Sequence, residues 1–126
     1  MKPKEVFPGI FQLKIPLPNN PLNHLNAYLL HMEDKNFLVD VGVDAPESFE
    51  ELKHQLAWLG LKPKDLTGIL ITHAHTDHIG LVSKIKKTSS VKVFIHEKEI
   101  ETLKWYSLNM RTFKLKLVEL YKKKEN

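Results

Sequence analysis

With 126 residues, 42% apolar and 27% charged, the chain is bounded to one globular domain with a single core. The absence of cysteine excludes a disulfide framework and any thiolate metal site, which leaves histidine, aspartate and glutamate as metal-holding side chains. The net charge of +4 is carried almost wholly by lysine, with Arg111 the only arginine, and this argues against reading of nucleic acid through bidentate arginine contacts.

The start, Met1-Lys2-Pro3-Lys4-Glu5-Val6, lacks a secretory apolar region, and no apolar run approaches a membrane span, so the sequence reads as cytoplasmic with no membrane partner. Every proline and glycine lies at or before Gly80, so strands and turns belong to the first two thirds. Gly9 to Leu17 alternates as a half-buried strand that Pro16 and Pro18 close. Leu25–Met32 and Asn36–Val41 read as two strands joined at Glu33-Asp34-Lys35 into an antiparallel hairpin. Asp40 stands inside the apolar run Phe37 to Gly42, and a buried carboxylate needs a partner. It reads either as an ordinary hydrogen-bonded loop residue or as support for a metal ligand.

Asp44-Ala45-Pro46-Glu47 has the pattern of a capped helix start. Phe49, Leu52, Leu56 and Leu59 then recur at helical spacing, and Gly60 closes the helix. Leu66–Thr72 reads as a central strand, Asp77–Lys87 as a second helix, and Val91–Ile95 as a further strand. That alternation implies a parallel pair with a crossover helix. From His96 onward the spacing predicts a long third helix, with Trp58 and Trp105 packed on their helices. Residues 110–126 stay ambiguous: Phe113-Lys114-Leu115-Lys116-Leu117 also alternates at period two. The basic run from Arg111 to Lys124 reads as a solvated tail, with an anionic or nucleic-acid partner as the alternative.

The chemistry concentrates in Thr72-His73-Ala74-His75-Thr76-Asp77-His78-Ile79-Gly80. In an extended segment i and i+2 share a side, so His73 and His75 can bend toward one ion while Ala74 turns away. Asp77 and His78 fall at the turn into the helix and can project back to the same mouth. Imidazole with carboxylate suits zinc, with iron or manganese also admitted, and four such residues could serve two adjacent ions. Gly80 would let the helix sit close under the strand end. His24, His31 and His54 read as structural or exposed, with His24 placed best for a supporting role.

His73-x-His75-x-Asp77-His78 on a strand-to-helix turn resembles the signature of the metallo-β-lactamase-fold hydrolases. Asn26-x-Tyr28-Leu29 and Phe37-Leu38-Val39-Asp40-Val41-Gly42, followed by a helix and the signature strand, match that family's N-terminal order. The resemblance runs from about Phe11 to about Glu99. It implies the N-terminal half of an αββα sandwich: an α/β chain with a mixed sheet and flanking helices, and one or two zinc ions at the sandwich edge. In the family's pattern His73 and His75 bind the first metal, and Asp77 and His78 the second. Asp40 lies near the metals without touching them, and Asp77 also orients water.

The family's domain is longer and supplies further ligands later. After His78 this chain has one histidine, His96, and no aspartate. His96 opens a helix and reads as a helix-start residue. The chain is therefore expected to be a single, shortened domain. The implied function is metal-dependent hydrolysis of a thioester or related ester, as in glyoxalase II-like members. Phosphodiester processing of RNA is the runner-up. The reading from another class is a non-catalytic half whose exposed sheet face pairs with a second copy or a complementing chain.

Overall fold

The computed structural model describes residues 1–109, so the tail read as ambiguous lies outside the described residues. Six strands form one sheet in chain order: β1 (Lys4–Phe7), β2 (Ile10–Pro16), β3 (His24–Met32), β4 (Lys35–Val39), β5 (Gly68–Ile71) and β6 (Lys92–Ile95). Neighbours pair antiparallel from β1 to β4, and β4, β5 and β6 run parallel. The sheet is thus mixed, as expected. The antiparallel part follows from short turns, and the parallel part from two helical crossovers. Strand β1 has no counterpart in the sequence reading: Lys4-Glu5-Val6-Phe7 is exposed at all four positions and so carries no burial pattern.

The pleat sorts side chains onto two faces. Leu29, Leu38, Ile69 and Val93 stand opposite one another across four strands and are all buried. Helix α1 (Pro46–Trp58) covers this face with Leu52 and Leu56, and Ile79, Leu81, Val82 and Ile85 complete the core. Two buried polar residues of α1 meet β2 beyond its pairing with the short β1. Ser48 Oγ donates to the Pro16 carbonyl at 2.7 Å, and Gln55 Nε2 to the Lys14 carbonyl at 2.7 Å. Side chains from α1 thus occupy acceptors that an open strand edge would expose. The helix closes with Gly60 at φ +76°, with Gly60 N–H donating to Ala57 O and Leu61 N–H to Leu56 O, both 2.9 Å.

Three expectations for the helices need correction. Asp44 does not cap α1: the cap position is Ala45, without a side-chain bond, and Asp44 Oδ1 instead lies 3.0 Å from Lys84 Nζ. The segment read as one helix over Asp77–Lys87 is two pieces, α2 (Thr76–Ile79) and α3 (Val82–Thr88). The interruption has a specific cause, since the Leu81 N–H donates to Gly42 O at 3.1 Å rather than along the helix. The helix read from His96 begins as a single 3-10 turn, Glu97–Glu99, and turns α-helical only as α4 (Ile100–Asn109). Trp58 and Trp105 are 54% and 56% exposed, so neither is buried by packing.

Among the described residues the opposite sheet face is left uncovered. Leu30, Met32, Phe37, Leu70 and Phe94 line an apolar hollow of about 310 Å³, with Met32 55% exposed. No helix among the described residues is long and apolar enough to cross a membrane.

Candidate metal centre

Strand β5 carries the histidine cluster off its C-terminal end, and its two parallel neighbours bring their own C-terminal ends beside it. This is the mouth where open α/β sheets bind ligands. On one side β4 runs out into Asp40, which adopts φ +60°, a left-handed conformation that aspartate tolerates better than most residues. Its N–H still pairs with Leu70 O at 2.9 Å, and the next N–H, of Val41, donates to His78 O at 2.8 Å. The turn aims the carboxylate at the cluster, where it is 4% exposed.

Asp40 Oδ1 accepts the Thr72 N–H at 2.9 Å, and Oδ2 accepts the Thr72 hydroxyl at 2.7 Å. Oδ2 also lies 2.8 Å from His78 Nδ1. A carboxylate only accepts, so the neutral His78 ring carries its proton on Nδ1 and keeps a lone pair on Nε2. The Thr72 hydroxyl has spent its one hydrogen on Asp40. Its 3.0 Å contact with His73 Nδ1 must therefore be donated by the ring, which leaves the His73 Nε2 lone pair free as well. One buried carboxylate thus sets the tautomer of two histidines, directly for His78 and through Thr72 for His73. Asp40 is a buried carboxylate with three hydrogen-bonded partners, two on Thr72 and one on His78.

The cluster itself is compact. The His73 ring centroid lies 4.4 Å from that of His75 and 4.0 Å from that of His78, with His75 and His78 6.4 Å apart. Asp77 Oδ2 stands 3.7 Å from His78 Nε2. Two donors each about 2.0–2.1 Å from one tetrahedral ion stand roughly 3.4 Å apart, so this separation suits a shared ion with little movement. Among the described residues no three His, Asp or Glu side chains form a ligand set for one ion. The donor set fits metal in its chemistry and in the Asp77–His78 spacing.

Other histidines stand apart. His96 Nδ1 accepts the Lys98 N–H at 3.1 Å, which is the helix-start role expected of it. His31 Nδ1 lies 2.7 Å from Asn36 Oδ1 at the far end of the β3–β4 hairpin. His54 is exposed on α1, and His24 opens β3 opposite Pro16, half-buried. Two residues that the sequence reading passed over join the site. Thr72 bridges Asp40 and His73, and Glu99 Oε1 accepts the Ala74 N–H at 2.7 Å. Thr72 was read as the last residue of the strand, which instead ends at Ile71, and Glu99 carries no local signal.

Thr72→Val keeps the shape and removes the bridge. Stability should fall by about 1 kcal/mol, because the hydroxyl is partly solvated. Metal affinity should fall about tenfold, because the His73 ring loses the partner that fixes its tautomer. Denaturant midpoints and a metal titration check the two effects separately, and unchanged affinity would refute the tautomer argument.

Comparison with known proteins agrees with this architecture. The family model described as metallo-beta-lactamase superfamily matches residues 21–124. "Probable metallo-hydrolase YqgX" of Bacillus subtilis is 32% identical over 93 residues, covering 74% of this chain and 40% of that protein. "Exodeoxyribonuclease WalJ" of Streptococcus pneumoniae is 36% identical over 73 residues, covering 58% of this chain and 26% of that one. A metallo-beta-lactamase family protein from Thermus thermophilus superposes with a TM-score of 0.71 at 29% identity, covering 91% of this chain and 42% of its own. The chain thus spans less than half the length of each of these relatives. Sheet order, a histidine turn at the end of β5, the strand next to the sheet edge rather than the central one, and a family match over residues 21–124 coincide, and the chain belongs to the metallo-beta-lactamase superfamily.

Proposed function

We propose that the chain is the metal-holding part of a metal-dependent hydrolase acting on a thioester or related ester. The observation that carries this reading is the pair of ring nitrogens, Nε2 of His73 and of His78, kept free by bonds at Nδ1. His73 and His75 would hold one divalent ion and Asp77 and His78 a second, with zinc the best match to imidazole and carboxylate and iron or manganese as alternatives. When bound, such an ion supplies Lewis acidity: it polarises an ester or phosphoryl oxygen and makes water a nucleophile near neutral pH. Asp77, half-buried in the first turn of α2, would both help hold the second ion and help orient water through its carboxylate. Asp40 stays off the metal and holds His78. The absence of cysteine suits a reducing, cytoplasmic setting.

Phosphodiester cleavage is the second reading, supported by the similarity to a protein named as an exodeoxyribonuclease and by the excess of lysine. The same proposal expects the open apolar face to be covered by further polypeptide, either a second copy or a completing segment. A stable monomer with that face exposed, seen by size-exclusion chromatography, would count against the covering.

The test is metal content of the purified chain after incubation with zinc, beside His73→Ala/His75→Ala. The wild type should retain metal and the double variant should lose at least half of it, the share of one pair of ligands. Thioester and phosphodiester substrates assayed in parallel separate the two chemistries. A wild-type chain that retains no metal in excess zinc sinks the reading of the site.

A further inference from the structure

We infer that Glu99 is a positioning residue for the histidine turn, holding the backbone between His73 and His75 in its ligand-presenting shape; this rests on the metal reading above. Strand β5 ends at Ile71, and past it the backbone must leave the ladder to bring two histidines to one side. Three bonds shape the departing chain. The Thr72 N–H goes to Asp40, the His75 N–H returns to His73 O at 3.0 Å, and the Ala74 N–H goes to Glu99 Oε1 at 2.7 Å. Ala74 is fully buried at 0% exposure, so its N–H depends on a protein acceptor. A carboxylate acceptor at that distance is a short, charge-assisted bond.

The arrangement is two-sided. Because β4 and β6 both run parallel to β5, the residues just past their C-terminal ends rise on either side of the turn. Asp40 arrives from the β4 side and Glu99 from the β6 side. Glu99 is delivered by the 3-10 turn Glu97–Glu99, whose start is fixed by His96: Nδ1 accepts the Lys98 N–H, and His96 O accepts the Glu99 N–H at 2.9 Å. The histidine that is not a ligand therefore shapes the turn that aims the carboxylate. Asp40 sets ring nitrogens through side chains, whereas Glu99 sets the spacing of His73 and His75 through the backbone.

The test uses cobalt(II) titrated into the 126-residue chain and followed by its visible absorption, with thermal melts of each metal-free variant. Glu99→Ala should weaken cobalt binding by about tenfold or more and alter the band shape. Glu99→Gln keeps an acceptor oxygen at the same reach, with a weaker neutral bond, and should stay within about threefold of wild type. Glu99→Asp keeps the charge, falls one methylene short, and should behave like Glu99→Ala. Wild-type affinity in Glu99→Ala, or equal losses in Glu99→Ala and Glu99→Gln, would overturn the inference. If even the wild type takes up no cobalt, the metal reading fails, and the bond is judged alone by hydrogen exchange at the Ala74 amide. Slow exchange in wild type and Glu99→Gln, with fast exchange in Glu99→Ala, sustains the backbone role; fast exchange in wild type removes it.

Discussion

Gly80→Ala should destabilise the fold by about 3 kcal/mol or more, the upper end of what overpacking costs. A methyl group at this position would stand 2.5 Å from Asp44 N, 2.7 Å from Thr76 O and 2.9 Å from Gly42 O. All three are backbone atoms, so no side chain can rotate away. The φ of −57° at Gly80 is one that alanine adopts freely, so the cost is steric, with no dihedral strain. It must also exceed the roughly 1 kcal/mol that alanine normally contributes over glycine in a helical segment. Gly60→Ala is the contrasting case: nothing lies within 4 Å of the added carbon, but φ is +76°. That loss should be about 1–2 kcal/mol, from left-handed strain alone. Urea denaturation of both variants checks the order. A Gly80→Ala protein within about 1 kcal/mol of wild type would mean that the Gly42–Asp44 turn and the start of the helix can separate cheaply.

Asp40→Ala is the second large effect, expected at about 4 kcal/mol or more against a typical domain total of about 5–15 kcal/mol. It strips acceptors from the Thr72 N–H, the Thr72 hydroxyl and His78 Nδ1, and it forces alanine to φ +60°. Asp40→Asn separates stability from function. Asparagine tolerates the left-handed backbone and can still accept the Thr72 N–H through Oδ1. Its amide nitrogen would then face the Thr72 hydroxyl and His78 Nδ1, both donors in the wild type. The His78 proton would have to move to Nε2, and the Nε2 lone pair would be lost. Asp40→Asn should therefore fold, losing about 1–2 kcal/mol, while metal affinity drops about 10- to 100-fold. Nitrogen-15 shifts of the His78 ring report the tautomer directly. An Asp40→Asn chain that keeps both its Nδ1–H tautomer and its metal affinity would show that Asp40 is structural only.

What the sequence revealed depended on the range of the interaction. The His73–His78 cluster, the β3–β4 hairpin and the α1 periodicity are local patterns, and each appears in the structure close to where it was read. Asp40 was visible as an anomaly, a charge in an apolar run, but its partners lie 32 and 38 residues away and could not be named from spacing. Glu99 offered less, being one acid among several at an ordinary helix start, 25 residues from the amide it serves. The break between α2 and α3 was hidden for a similar reason. Helical periodicity does not register that Gly42 O takes the Leu81 N–H. Asp44 had the chemistry of a cap but met Lys84 across the fold, and that ion pair replaced the local bond.

The long-range bonds that shape the histidine turn span 25, 32 and 38 residues and reach the segments just past both neighbouring strands. An excised peptide carrying Thr72 to Gly80 would hold every candidate ligand and only the local bonds of the turn. The site therefore has no stability of its own. It exists only while β4, β5 and β6 are assembled, and an opening that frees the Thr72 or Ala74 amide also scatters the histidines. Hydrogen exchange at those two amides should track the most protected amides of β5. Each unfolding event of the sheet would then release whatever the turn holds, and metal release would report the opening of the fold as a whole.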